Sequence, residues 1–183
     1  MRPVRISAPA SPLVTLEDLR QQVRAGTAEE DALLEAYERA AVDWMDGYSG
    51  RLGRCILAQT WAMTVPFGSG PALFTLPFPD CRDLTVERPD GADGWEEFDA
   101  EIQQDGESAS VSGLPSDATG YRLKFVAGWS DPSEVPNNLK QAVRFIVTHW
   151  SENRSAVISN GTPSAMPFAV EAMISPLIHV FPV

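Results

Sequence analysis

The sequence predicts an α+β fold: an N-terminal helical hairpin, a central antiparallel β-sheet or small barrel, and a C-terminal helix followed by an extended tail. Three observations predict it. Apolar residues recur at Leu139, Ala142, Val143, Ile146, Val147 and Trp150, the i, i+3, i+4, i+7, i+8 and i+11 stripe of a packed helix. Between residues 56 and 129 the period shortens to two, and proline and glycine turn signals separate short runs. Between 14 and 50, Thr15 and Thr27 each open a helical stretch.

Taken in order, residues 1–13 hold three prolines and few large apolar groups, and read as an extended arm with nothing of its own to pack on. Thr15 caps a short helix over 16–25, where Asp18 in the first turn complements the helix dipole and Gly26 ends it. Thr27 with Glu30 three residues on forms a capping box for a longer helix. Its buried stripe is Leu33, Leu34, Tyr37, Ala40, Ala41, Trp44, Met45 and Tyr48, and residues 47–50 terminate it. Two helices joined by a tight turn make a helical hairpin.

Residues 59–65 alternate as a half-buried strand does, and Pro66 stops them. Further short strands are expected at 72–76, 84–87, 96–102, 108–112 and 121–127, with a hairpin tip at 90–94. No long crossover helix separates them, so a parallel doubly wound sheet is excluded. A strand ending at Ala127-Gly128 leads to a turn, and Pro136 opens the main helix at its first position, where a missing N–H costs nothing. That helix extends to residue 154. A small-residue loop follows to Pro167, then two helical turns over 168–175, then an apolar tail to residue 183. The 183 residues read as one domain with five parts: arm 1–13, hairpin 14–50, β region 56–129, helix 136–154, and short helix with tail 167–183.

Composition narrows the function. Hydrophobic residues at 44% and charged residues at 21% are ordinary for a globular protein. No apolar run approaches the ~20 residues of a membrane span. The first nine residues lack the apolar core of a signal peptide, so a cytoplasmic site of synthesis is expected. Cys55 and Cys81 match no metal-ligand spacing and read as free, part-buried thiols.

No catalytic, cofactor or metal site is expected. Ser49 sits between Gly47 and Gly50, but a nucleophile elbow needs glycine where Arg51 stands and a strand before it. His149 and His179 are the only histidines and lack a metalloprotease spacing. Asp90, Asp93 and Gly94 lack the alternating carboxylates of a calcium loop. Trp44, Trp61 and Trp150 fall on buried stripes, whereas Trp95 and Trp129 are candidate interface anchors.

Net charge is −11, and residues 87–107 concentrate it. Nine carboxylates (Glu87, Asp90, Asp93, Glu96, Glu97, Asp99, Glu101, Asp105 and Glu107) face one cation of that segment, Arg88. Their mutual repulsion implies a solvated segment, either a plain acidic surface or one that lets DNA pass without sticking. Asp93, Glu96, Glu97 and Asp99 are its central members. Sequence-specific DNA binding is excluded by this balance.

Four ordered blocks add a resemblance. They are residues 14–19 with Thr15-Leu16 and Leu19, residues 30–34 leading to 46–51, residues 58–61, and residues 128–154 with the loop to Met166 and the segment to Pro176. In this order the chain resembles the head–tail connector (adaptor) proteins of long-tailed bacteriophages and gene transfer agents. The resemblance covers most of the chain outside 66–120, and the acidic stretch 87–107 does not match the pattern. It implies a structural, non-enzymatic subunit of a dodecameric ring below the portal protein, with a stopper or tail-terminator protein beneath it. DNA would traverse the lumen, and assembly would take place in a bacterial host cytoplasm, without membrane or cofactor. It further implies a portal contact through the C-terminal segment, where Phe168, Ile174, Leu177, Ile178, Val180 and Phe181 are the apolar candidates. The arm, with Arg2 and Arg5, is expected to lie across a neighbouring subunit. Two other readings are another neck component, such as a head-completion or tail-terminator protein, and a non-viral cytoplasmic accessory subunit. The order of helices before sheet disfavours the first, and only the ordinary composition favours the second.

Overall fold

The strongest period-two run, residues 121–127, becomes the middle strand of a sheet, because its alternate side chains bury Tyr121, Leu123, Phe125 and Ala127 on one face. The computed structural model describes residues 2–24, 27–65, 72–91, 94–113, 120–153 and 168–180. In chain order the elements are β1 (Val4–Ser7), α1 (Leu16–Val23), α2 (Ala28–Met45), β2 (Gln59–Val65), β3 (Ala72–Thr75), β4 (Arg82–Pro89), β5 (Trp95–Phe98), β6 (Glu101–Asp105), β7 (Ser108–Ser112), β8 (Tyr121–Ala127), α3 (Asn137–Glu152) and α4 (Phe168–Ile174), with a 3-10 turn at Ser175–Leu177. The chain divides into two compact units, one holding residues 1–9, 54–128 and 181–183, the other 10–53 and 129–180.

The described residues of the first unit form only strands and turns. One antiparallel sheet has the order β1-β2-β8-β4-β5, and a second has the order β3-β7-β6. The α+β class is therefore observed, with two open sheets in place of a closed barrel. The core face of the larger sheet carries Trp61, Met63, Leu123, Phe125 and Val86, with Phe78 edge-on to both Trp61 and Phe125. Gly128 closes β8 at φ +98, where a Cβ would lie 2.4 Å from the Leu57 carbonyl oxygen, so only glycine fits there.

Two expectations about strands are corrected. Residues 96–102 form no single strand. They split into β5 and β6 of different sheets, because Asp99 and Ala100 turn the chain from one sheet to the other. The arm does have something of its own to pack on: β1 pairs antiparallel with β2, Val4 opposite Ala62 and Arg5 opposite Trp61, with a bulge between Arg5 and Ser7. A four-residue strand lacking a buried face carries no strong periodic signal, so only its pairing with β2 reveals it.

The second unit is helical. Thr27 and Glu30 form the expected capping box. The buried stripe of α2 is Leu34, Glu38, Ala41 and Met45, so Ala40 faces solvent and a carboxylate takes an inward position. Glu38 is held there by the backbone N–H groups of Leu13 (2.9 Å) and Val14 (3.3 Å), which donate to its Oε1. The helix α1 ends at Val23 with Arg24 in the left-handed region (φ 57); the Ala25-Gly26 end foreseen from sequence lies outside the described residues. Pro136 is the N-cap of α3 rather than its first helical residue, with extended backbone (φ −51, ψ 134), and the helix stops at Glu152. Its stripe of Leu139, Ala142, Val143, Ile146 and Val147 is buried, each large side chain contributing about 1.5–3 kcal/mol of transfer free energy. The helix packs against α1, α2 and α4, and Trp150 meets Tyr37 edge-on at 5.8 Å.

Candidate functional site

The C-terminal segment is built in two halves with opposite roles. Val170 and Ile174 of α4 are buried in the helical unit, Ile174 to 1% exposure. Phe168, in contrast, is 87% exposed and Val180 81%, with Ile178 also exposed and Leu177 half-buried. Ile174 is thus removed from the candidate contact set, because an i, i+4 pair on a two-turn helix puts Val170 and Ile174 on the inward face. Phe181 lies outside the described residues.

This segment is attached to its own unit. The His179 N–H donates to the Leu52 carbonyl at 2.7 Å. Gly53, at φ +61, leaves room for it: a Cβ would lie 2.4 Å from the His179 carbonyl oxygen. Arg51 pairs with Glu171 of α4 at 3.4 Å on the surface. The turn after α2 therefore seats the tail, and Phe168, Ile178 and Val180 remain outside.

The acidic stretch is organised by residues far away in sequence. Glu87 is buried, against the expectation of a wholly solvated segment. Its Oε2 accepts from Arg122 Nε at 2.5 Å and its Oε1 from Lys124 Nζ at 2.8 Å, both on the adjacent strand β8. Burial alone pushes this carboxyl up, but the hydrogen bonds from Lys124 and Arg122 and their positive charges outweigh it, so the net direction is down. Arg122 also stacks 4.7 Å from the Trp95 ring centroid, which gives that tryptophan an intramolecular role. Arg88 engages Glu96 at 2.7 Å across β4 and β5. Glu97 stands opposite Glu87 in the same strand pair, a like-charge neighbour. Among the described residues no cation pairs with Glu97 or Asp99, and both are exposed. Asp93 lies outside the described residues.

The edge strand β1 exposes Val4 (62%) and Ile6 (50%), with Arg5 between them and Arg2 just before the strand. Cys55 and Cys81 are both buried, and burial pushes the Cys81 thiol up to about 12. Among the described residues no group of three or more His, Cys, Asp or Glu could hold a metal ion. None of their helices is long and apolar enough to cross a membrane. The exposed features are thus apolar knobs and the carboxylates Glu97 and Asp99, which suit recognition by another surface.

No protein-family model matches this chain, and no curated protein matches it. Solved structures do share its fold. It is the fold of a chain in the gene transfer agent neck. The similarity reaches a TM-score of 0.71 at 22% identity, over 100% of this chain and 98% of the other, in the structure described as "Neck of empty GTA particle computed with C6 symmetry". In "Virion of native gene transfer agent (GTA) particle" the values are 0.71 and 21%, with the same coverage. In "Neck of native GTA particle computed with C12 symmetry" they are 0.68 and 18%, again over 100% and 98%. The neck fold therefore spans the whole chain, both β and helical units included.

Proposed function

We propose that this chain is a head–tail connector subunit: a structural, non-enzymatic component of a phage-like neck that forms a ring between the portal and the distal neck or tail. The observation that carries the reading is end-to-end agreement of fold with chains from gene transfer agent necks solved with sixfold and twelvefold symmetry. Both units act together as one connector domain, and the ring matches a twelvefold portal. DNA passes through the lumen, and the net charge of −11 keeps the duplex from adhering to the wall. A stopper or tail-terminator protein takes the lower face. Assembly takes place in the bacterial host before the subunit becomes part of the particle.

In this reading the C-terminal segment faces the portal. Phe168, Leu177, Ile178 and Val180, with Phe181 beyond them, are the contact residues, and α4 with the seated tail is the rigid base that presents them. Exposed aromatic and aliphatic knobs on a fixed base are what a hydrophobic pocket of a partner selects. The test is a Phe168→Ser/Val180→Ser double variant in the particle-producing strain. Both side chains are largely outside, so folding is retained. Portal-bearing heads are expected to lack this subunit when imaged by cryo-electron microscopy. Heads carrying a normal complement of the variant would overturn the assignment of this surface.

A further inference from the structure

We propose that in the assembled ring each subunit lends β1 to the next copy, where the strand pairs with β2 in the register that it adopts within one chain. This deepens the ring reading above and rests on it.

The two ends of the arm are held in different ways. At its root, Leu13 and Val14 are buried, and their N–H groups donate to the buried carboxylate of Glu38, so this end belongs firmly to the helical unit. At its tip, β1 is grouped with the β unit and is held mainly by backbone pairing. All four of its side chains are exposed, Val4 and Ile6 among them, and Pro3 just before it is buried. Val4, Arg5 and Ser7 stand opposite Ala62, Trp61 and Thr60, and the Thr60 N–H donates to the Ser7 Oγ at 3.3 Å. Because no side chain of β1 is enclosed, this ladder is indifferent to which chain supplies the strand. Between root and tip runs Ala8-Pro9-Ala10-Ser11-Pro12, exposed except for the half-buried Pro9. Its two prolines fix φ and remove two N–H donors, which makes the stretch a stiff spacer with little to tie it to its own chain.

Three consequences favour the exchange. The strand β2 buries Trp61, Ala62 and Met63 and has β8 on its other side, so its remaining edge must be covered in every copy. A strand lent by a neighbour covers it with the same ladder, and the contacts broken are the contacts re-formed. Next, Val4 and Ile6 stand in water when β1 returns to its own chain. A strand that bridges two bodies has the lending subunit beside it, and that body takes both side chains out of water. Last, the giving and receiving surfaces differ, so the contact is heterologous. Each copy gives one strand and receives one, and a closed ring leaves neither a strand nor an edge over, whatever the number of copies. The stretch from Ser7 to Leu13 reaches about 20–22 Å at full extension, so the receiving edge lies within that distance of the lender's Leu13.

The experiment uses the full chain in particles. Two single variants, Ser7→Cys and Thr60→Cys, are co-produced in one host, and isolated necks are oxidised and run on a non-reducing gel. The two positions are opposite each other in the ladder, where Cα atoms lie about 4.5–5.5 Å apart, inside the range a disulfide spans. Each chain carries one of the two cysteines, so pairing within a chain can form no bond, whereas exchange joins two chains. A one-to-one mixture is expected to place roughly half of its chains in covalent dimer, and either variant produced alone is expected to give none. Val4→Cys and Ala62→Cys repeat the test at a second rung, on the other side of the bulge. With both cysteines on one chain, Ser7→Cys/Thr60→Cys is expected to give a ladder of covalent oligomers from the same necks. Full rings that yield monomer in all three arms would overturn the exchange and leave the ring reading standing. Wild-type necks with no ring of this subunit would overturn that reading itself. The native thiols do not interfere, because Cys55 and Cys81 are buried.

Discussion

Replacing Gly53 by alanine isolates the attachment of the tail. Gly53 has φ +61, a region in which an L side chain costs about 1–2 kcal/mol. The new Cβ would also fall 2.4 Å from the His179 carbonyl oxygen, so the tail must withdraw from the turn. Withdrawal breaks the His179 N–H to Leu52 carbonyl hydrogen bond of 2.7 Å, a further cost of about 0.5–1.5 kcal/mol. The expected destabilisation is therefore about 1.5–3.5 kcal/mol. Gly91→Ala is the control, since Gly91 has φ +82 but nothing within 4 Å of its would-be Cβ. It should lose the backbone component alone, about 1–2 kcal/mol. Urea unfolding gives the totals, and amide hydrogen exchange at His179 reports the tail directly. Exchange there should accelerate by roughly 3- to 10-fold in Gly53→Ala and stay unchanged in Gly91→Ala. Equal losses in both variants with His179 protection intact would refute the seating of the tail on this turn.

Two buried carboxylates should give opposite pH signatures. The Glu87 carboxyl is held below its ordinary 4.5, so its stabilisation is present above that value and is lost as pH falls through the folded-state pKa. Glu87→Gln should cost about 1–3 kcal/mol at neutral pH, a loss that shrinks in acid, as followed by thermal melts across pH. Burial pushes Glu38 up, an effect only partly offset by the Val14 and Leu13 amides, so its contribution is full below 4.5 and is lost as pH rises through the folded-state pKa. Glu38→Gln keeps an acceptor for both amides and should flatten stability between mildly acidic and neutral pH; an unchanged slope would remove Glu38 as its source. Cys81, with its thiol pushed up to about 12 by burial, should resist iodoacetamide in the native state and react once the chain is unfolded in urea. Rapid native labelling at Cys81, read by peptide mass, would contradict its enclosure.

The sequence determined whatever depends on near neighbours. The Thr27–Glu30 capping box, the α3 stripe from Leu139 to Val147, the alternation of residues 59–65 and 121–127, and the glycine after Ala127 were all legible, because each is a contact within four residues or a strict period. The exposed Phe168 and Val180 were legible as candidates too, since an apolar tail without a polar face stands out. Tertiary structure alone decided what depends on pairing across the chain. It buried Glu87 by bringing Arg122 and Lys124 onto the next strand, 35 and 37 residues away. It turned an arm into the edge strand β1 and divided residues 96–102 between two sheets. It withdrew Ile174 into the helical unit while leaving Phe168, on the same short helix, outside. Each of these depends on which surfaces meet: a carboxylate is buried only where cations, as at Glu87, or backbone N–H donors, as at Glu38, arrive to hold it, and a weakly patterned strand forms only where a partner offers its unpaired backbone edge.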